Sequence, residues 1–258
     1  MDGIFVAGRR ALKQNDDNRF GSCFRIYRPM ILSQDETIAL LLSLQVAAVA
    51  TVCALPPATA CAWLLARRRF LGKPLLETAL LLPLILPPVV TGYVLLEVFG
   101  HRGAIGRVLD ALHISIAFRW TGAALAAGVM AFPLLVVALR TAFESVDRKL
   151  EQAAATLGAN AWRIFFGIAL PLSLRGLVAG VALAFARAFG EFGATITFVS
   201  SIPGETRTLP IALYELLETP GGESGALRLT WIAVIVALIS TLAAALLLRG
   251  PRAREVEP

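Results

Sequence analysis

The sequence predicts an all-α, polytopic membrane protein with five transmembrane helices. Three observations carry that reading. Hydrophobic residues make up 57% of the 258 residues and charged residues only 16%, against about 25% charged in a soluble globular domain. Mean hydropathy is +0.72. Five apolar runs approach the ~20 residues a helix needs to cross the hydrocarbon. A soluble chain so poor in charge would not cover its own surface. That excludes an ordinary soluble enzyme, a disordered tail and a soluble nucleic-acid binder. The net charge of +6 suits basic loops gathered on one side of a membrane.

The first run, residues 38–66, holds no charged residue. It contains Pro56-Pro57, which predicts a kink or a break near that pair. The second, 78–96, carries a second pair, Pro87-Pro88. The third covers 120–139. The fourth, about 177–199, is interrupted by Arg187 and Glu191, and the fifth covers 229–248. A shorter stretch, Leu209 to Leu217, is too short to cross and reads as a re-entrant or surface helix. Cys23, Cys53 and Cys61 lack metal-ligand spacing and read as small buried hydrophobes. His101 and His113 share one loop, too few ligands for a metal site.

Charge asymmetry sets the expected orientation. Arg67, Arg68, Arg69 and Lys73 follow the first run. Arg140, Arg148, Lys149, Arg163 and Arg175 follow the third, and Arg249, Arg252 and Arg254 follow the fifth. These loops fall on one side, expected to be cytosolic, so the chain runs N-terminus out and C-terminus in, with residues 251–258 as a cytosolic tail. Residues 1–29 oppose this, holding Arg9, Arg10, Lys13, Arg19, Arg25 and Arg28 on the outer side. They have no apolar core long enough for a signal peptide. The expected natural start is therefore Met30, with residues 1–29 an upstream or disordered extension and 30–250 the membrane domain.

The most informative segment is the loop of about residues 144–171. Asp147 suits the start of a first helix. Ala153, Ala154 and Ala155 give it a smooth face, and Gly158 suits a left-handed end. Asn160 suits the cap of a second helix carrying Phe165, Phe166 and Ile168 before Pro171. Physically this is either a docking element for another protein or an amphipathic hairpin on the lipid surface.

Gly158, nine residues, then Ile168-x-Leu170-Pro171 resembles the coupling-loop signature of type I ABC importer permeases. The usual motif places a glutamate and two alanines ahead of the glycine. Counting back puts Gln152 at the glutamate and Ala153-Ala154 at the alanines, with Glu151 one residue early. Within that family, the stretch from Phe185 through Gly190-Glu191-Phe192-Gly193 to Gly204-Glu205-Thr206-Arg207-Thr208 is similar to the molybdate permease branch. So are Thr219 to Ala226 and Leu82-Pro83-Leu-Ile-Leu-Pro87-Pro88. The resemblance covers nearly the whole chain from Met30.

The resemblance implies a homodimer in the bacterial inner membrane that forms the path for the oxyanion. It implies two cytosolic ATPase subunits, which carry the ATP and magnesium, and a periplasmic molybdate-binding protein. Glu151, Gln152, Ala153, Ala154, Gly158, Ile168, Leu170 and Pro171 would then couple to the ATPase. Sulfate, thiosulfate or tungstate permeases are the nearest alternatives. A stand-alone channel is the alternative of another class, and it has no need of such a loop.

Arg187 and Glu191, four apart, are expected to pair on one helix face, beside a small-residue row of Gly176, Gly180, Ala184 and Ala188. Arg187 either attracts the oxyanion or fixes helix packing; the paired carboxylate favours packing. Thr195, Thr197 and Ser200 either line a polar path or bond the carbonyl of a preceding turn. The loop holding Gly204, Glu205, Thr206 and Arg207 is either a docking surface for the binding protein or a flexible connector. The chain is expected to bind no metal or cofactor and no nucleic acid. Its only Gly-Lys pair, Gly72-Lys73, is followed by Pro74 and so is no phosphate loop. It is therefore not expected to be an enzyme.

Intact-mass spectrometry of the native protein is expected to give a chain beginning at Met30. A mass that includes residues 1–29 would overturn that start.

Overall fold

The computed structural model describes residues 32–248, and all regular structure among them is helical. The expected extension, residues 1–29, and the tail, 251–258, lie outside the described residues. In chain order the helices are α1 (Gln34–Arg67), α2 (Lys73–Ile85), α3 (Pro88–Phe99), α4 (Ala104–Ala111), α5 (Trp120–Glu144), α6 (Arg148–Thr156) and α7 (Ala161–Ile164). A π-helical turn, Phe165–Ala169, then leads into α8 (Leu170–Phe189), α9 (Gly193–Val199), α10 (Leu209–Glu218) and α11 (Glu223–Leu248).

Four helical stretches are long and apolar enough to cross a membrane: α1, α5, the continuous run Ala161–Phe189, and α11. The pair α2 and α3 makes a fifth only as a broken span, bent by 109°. The two proline pairs behave differently. Of the kink or break expected at Pro56-Pro57, the break is absent: α1 is one helix from Gln34 to Arg67. Its Ala54, Ala58 and Ala62 are buried in the seam with α5, and that packing holds the turn in which two N–H donors are missing. Helix α2 buries no residue, so nothing carries it past Pro87-Pro88. Leu86 and Pro87 are both extended, with ψ 144° and 133°, as a residue preceding proline prefers.

Helix α5 is the centre of the fold. It buries Ala123, Ala126, Ala127, Ala131, Leu135 and Leu139 against α1 and α8. The row of small residues on α8 meets α5 closely. A Cβ on Gly176 would lie 2.5 Å from the Cβ of Ala142, and one on Gly180 would lie 3.0 Å from that of Ala138. Helix α11 packs on α8 and α10. It buries only Gly225, Ala226, Leu229 and Ala244 and leaves a long apolar face open.

The start of α1 is closed by reciprocal hydrogen bonds. Glu36 N–H donates to Ser33 Oγ (3.2 Å) and Ser33 N–H donates to Glu36 Oε2 (2.8 Å). Cys53 is exposed and Cys61 half-buried, unlike the burial expected of the cysteines, and Cys23 lies outside the described residues. Cys53 faces an apolar cavity of about 430 Å³ between α1, α2 and α5.

Helices α3 and α9 touch backbone to backbone. A Cβ on Gly92 would lie 2.6 Å from the carbonyl oxygen of Ala194 and 2.9 Å from its Cα. One on Gly193 would meet Pro88 at 2.8 Å. Gly92→Ala is therefore expected to destabilise the protein by about 1–3 kcal/mol, the usual cost of overpacking. Thermal unfolding in detergent checks this, and an unchanged midpoint would refute the contact.

Candidate functional site

The loop after α5 is built by local capping. Asp147 Oδ1 accepts from Lys149 N–H at 2.9 Å and starts α6. Gly158 lies at φ +84°, the left-handed conformation that ends the helix. Asn160 Oδ1 accepts from Arg163 N–H at 2.9 Å and starts the next helix. One boundary differs from expectation. The second helix does not end before a separate span; it continues through the π turn into α8, so Ile168, Leu170 and Pro171 lie inside one 29-residue run. Pro171 sits in the first turn of α8, where its missing N–H removes a bond that the wider π turn has already displaced.

The loop residues divide into two faces. Glu151 turns inward and pairs with Arg67 at the end of α1; the two side chains are only 14% and 7% exposed. Gln152 and Ala153 are exposed, Ala154 is half-buried, and Gly158 is exposed. Leu157, Trp162 and Phe166 project outward, at 88%, 72% and 58% exposure, with the Trp162 and Phe166 rings stacked at 6.0 Å. Phe165 turns the other way and meets Trp63 edge-on at 5.5 Å and Phe143 at 6.0 Å. The loop is thus an apolar tip on a base held by the protein's own side chains.

Sequence reasoning used Arg67 and Arg148 only as counted charges. In the structure Arg148 Nη2 donates to the Ala66 carbonyl (2.6 Å) and Lys73 Nζ donates to the Leu65 carbonyl (2.7 Å). These are carbonyls that a helix leaves unpaired at its C-terminus. The available signal was a basic run directly after an apolar helix.

The second group surrounds the Gly190-Glu191-Phe192-Gly193 corner. Arg187 and Glu191 do pair, but not on one helix face as expected. Helix α8 ends at Phe189, and Gly190 caps it. Glu191 therefore lies beyond the helix. Its carboxylate accepts from Arg187 Nη1 and, at 2.9 Å, from Ala194 N–H. Glu191 so ties the end of α8 to the start of α9 and is 3% exposed. Thr197 donates to the Gly193 carbonyl at 2.8 Å, and Thr195 is buried. Ser200 is exposed at φ +61°, where α9 stops.

The Gly204 to Arg207 stretch is a hydrogen-bonded turn. Gly204 sits at φ +75° and Glu205 beside it. Thr206 is fully buried; its Oγ1 accepts from Ile202 N–H and donates to the Ser200 carbonyl, both at 2.9 Å. Arg207 pairs with Glu215 at 2.9 Å. The turn then feeds α10, whose Leu209 N–H donates to Ser43 Oγ of α1 at 2.6 Å. Among the described residues no cluster of three His, Cys, Asp or Glu side chains is placed to hold a metal ion.

Glu191→Ala is expected to lower stability by about 1–3 kcal/mol, since it strips buried partners from a guanidinium and an N–H. Arg187→Ala is expected to weaken the folded protein while leaving substrate uptake by assembled protein intact. Uptake lost from a fully assembled Arg187→Ala protein would instead give Arg187 to the substrate.

The family model described as "Binding-protein-dependent transport system inner membrane component" matches residues 58–251. The chain is 58% identical over 226 residues to the molybdenum transport system permease protein ModB of Escherichia coli (strain K12), covering 87% of this chain and 99% of that one. It is 54% identical over 208 residues to the molybdenum transport system permease protein ModB of Haemophilus influenzae, covering 80% and 91%. In fold it is similar to a bacterial ABC transporter involved in the import of the acidic polysaccharide alginate. That likeness has a TM-score of 0.68 at 14% identity, over 89% of this chain and 84% of the other. With its membrane-length helices, its broken span and its clamped loop, the chain belongs to the family of binding-protein-dependent transport system inner membrane components.

Proposed function

We propose that this chain is the permease subunit of an ATP-driven molybdate importer. The observation that carries the reading is the near full-length likeness to molybdenum transport system permeases. Two copies would line the oxyanion path, with lipid around them. Two ATPase subunits would bind below and a periplasmic molybdate-binding protein above, leaving the N-terminus outside and the C-terminus inside.

The chemistry of the subunit is mechanical. ATP and magnesium belong to the ATPase. Here Gly72 is a left-handed helix cap and Lys73 is spent on a backbone carbonyl, which supports an ATP-free subunit. The exposed tip of Leu157, Trp162 and Phe166 offers the apolar surface that a groove on the ATPase would bury. Closure of the ATPases would push that tip, and the path would alternate between outward and inward access. The pairing of Arg67 with Glu151 and the bond from Arg148 to the Ala66 carbonyl support a shared cytosolic side for both basic loops.

Reconstituted with its ATPase in vesicles, the complex is expected to respond to the binding protein loaded with molybdate or tungstate by hydrolysing ATP faster. The sulfate-loaded protein is expected to leave the rate at its basal level. Stimulation by sulfate would keep the mechanism and overturn the substrate. No stimulation by any form in an assembled complex would overturn the importer reading.

A further inference from the structure

We propose that Trp63 and Arg67 make the last turn of α1 the grip through which the loop after α5 is driven, and that Arg67 is a positioning residue for transport. The inference rests on the reading that this loop docks on an ATPase. It assigns a role to residues outside the loop.

The two side chains are four apart on α1 and share one face. Trp63 holds one arm of the loop, with its ring edge-on to Phe165 at 5.5 Å. Arg67 holds the other arm, pairing with Glu151 and donating to the Val146 carbonyl at 3.4 Å. Arg148 closes the joint from the opposite side through the Ala66 carbonyl, at 2.6 Å. Of the Arg67-Arg68-Arg69 run, Arg67 alone is turned inward; Arg68 and Arg69 are exposed. Both loop arms are therefore fastened to a single helix turn and cannot move without it.

That turn ends a 34-residue helix, about 50 Å long at 1.5 Å per residue. The far end is fastened too. Glu36 is buried, and its Oε1 accepts from Arg228 Nη2 of α11 at 2.7 Å. Ser43 accepts the first N–H of α10 at 2.6 Å. Helix α1 thus ties the loop at one end to α10 and α11 at the other through directional polar contacts. A displacement of the loop would pass into α1, which runs as one unbroken helix between the two ends. Coupling of this kind needs a physically continuous element, and α1 is one.

The test uses the full permease–ATPase complex with molybdate-loaded binding protein. Two quantities are read: the ratio of stimulated to basal ATPase rate, and molybdate moved per ATP hydrolysed. Arg67→Glu is expected to assemble and to lower the ratio about fivefold or more, the scale of a typical coupling energy. Adding Glu151→Arg in the same chain is expected to restore most of it. Arg67→Lys, which keeps the charge but loses the fork, is expected to fall between. Assembled Arg67→Glu protein with wild-type values of both quantities would overturn the proposal. So would a complex that fails to assemble with Arg67→Lys as well, since the residue would then serve folding alone. If the wild-type complex itself shows no stimulation, the importer reading fails rather than the grip.

Discussion

Close approach of helix backbones around α5 is the constraint on which the rest of the structure depends. Lipid gives little hydrophobic reason for one apolar helix to leave it for another, so association must come from dispersion at short range and from polar contacts. The chain answers with alanine and glycine. Ala47, Ala50, Ala54, Ala58 and Ala62 of α1 are buried, with Ala50 against Gly128 of α5, and Gly176 and Gly180 of α8 meet Ala142 and Ala138 of α5. The same solution recurs where α3 crosses α9 at Gly92 and Gly193. Short side chains also line α1 around its two prolines, where the helix continues unbroken. A seam of this kind supports the backbone on the side where the hydrogen-bond ladder is interrupted.

Polar groups are used at ends and corners, where the backbone needs them. Within α1 the hydroxyls of Thr51 and Thr59 return to the carbonyls four residues back, each at 2.7 Å, so they ask nothing of lipid. Several charged side chains bond to backbone groups that a helix leaves unpaired at its ends. Glu36 closes the start of α1, Glu191 closes the gap between α8 and α9, and Arg148 and Lys73 close the end of α1. A bare charge at the buried positions of Glu36 and Glu191 would be costly. A charge that also caps a helix terminus offsets part of that cost with a bond the backbone would otherwise lack.

Much of this was legible before any coordinates. The apolar runs marked α1, α5 and α11, and Asp147, Gly158 and Asn160 marked the turns of the loop, because capping is local chemistry written in adjacent residues. The small row on α8 was legible for the same reason. The Arg187–Glu191 pair was legible as a pair but not as a corner, since a helical period carries no notice that Gly190 ends the helix. The inward turn of Glu151 was hidden, because its partner Arg67 lies 84 residues earlier. The contrast between Pro56-Pro57 and Pro87-Pro88 was also hidden. Identical dipeptides differ there only in what packs beside them, and packing is a property of the whole fold.

That contrast bears on where the chain meets something other than lipid. Helix α2 has 13 residues and α3 has 12, about 20 Å and 18 Å of helix, and a hydrocarbon core is about 30 Å thick. Neither half crosses alone, and a 109° bend prevents the two from acting as one rod. The extended link at Leu86-Pro87 therefore interrupts the helical ladder of this broken span, with the Pro87 carbonyl accepting from Val90 N–H of α3 at 2.9 Å. Lipid does not tolerate such a link, which survives only against protein or along water. The residues beside it are open in the single chain: Leu84, Ile85, Val89, Val90 and Tyr93 are all exposed. The link itself thus needs protein or water beside it, while the apolar side chains around it suit lipid or protein alike.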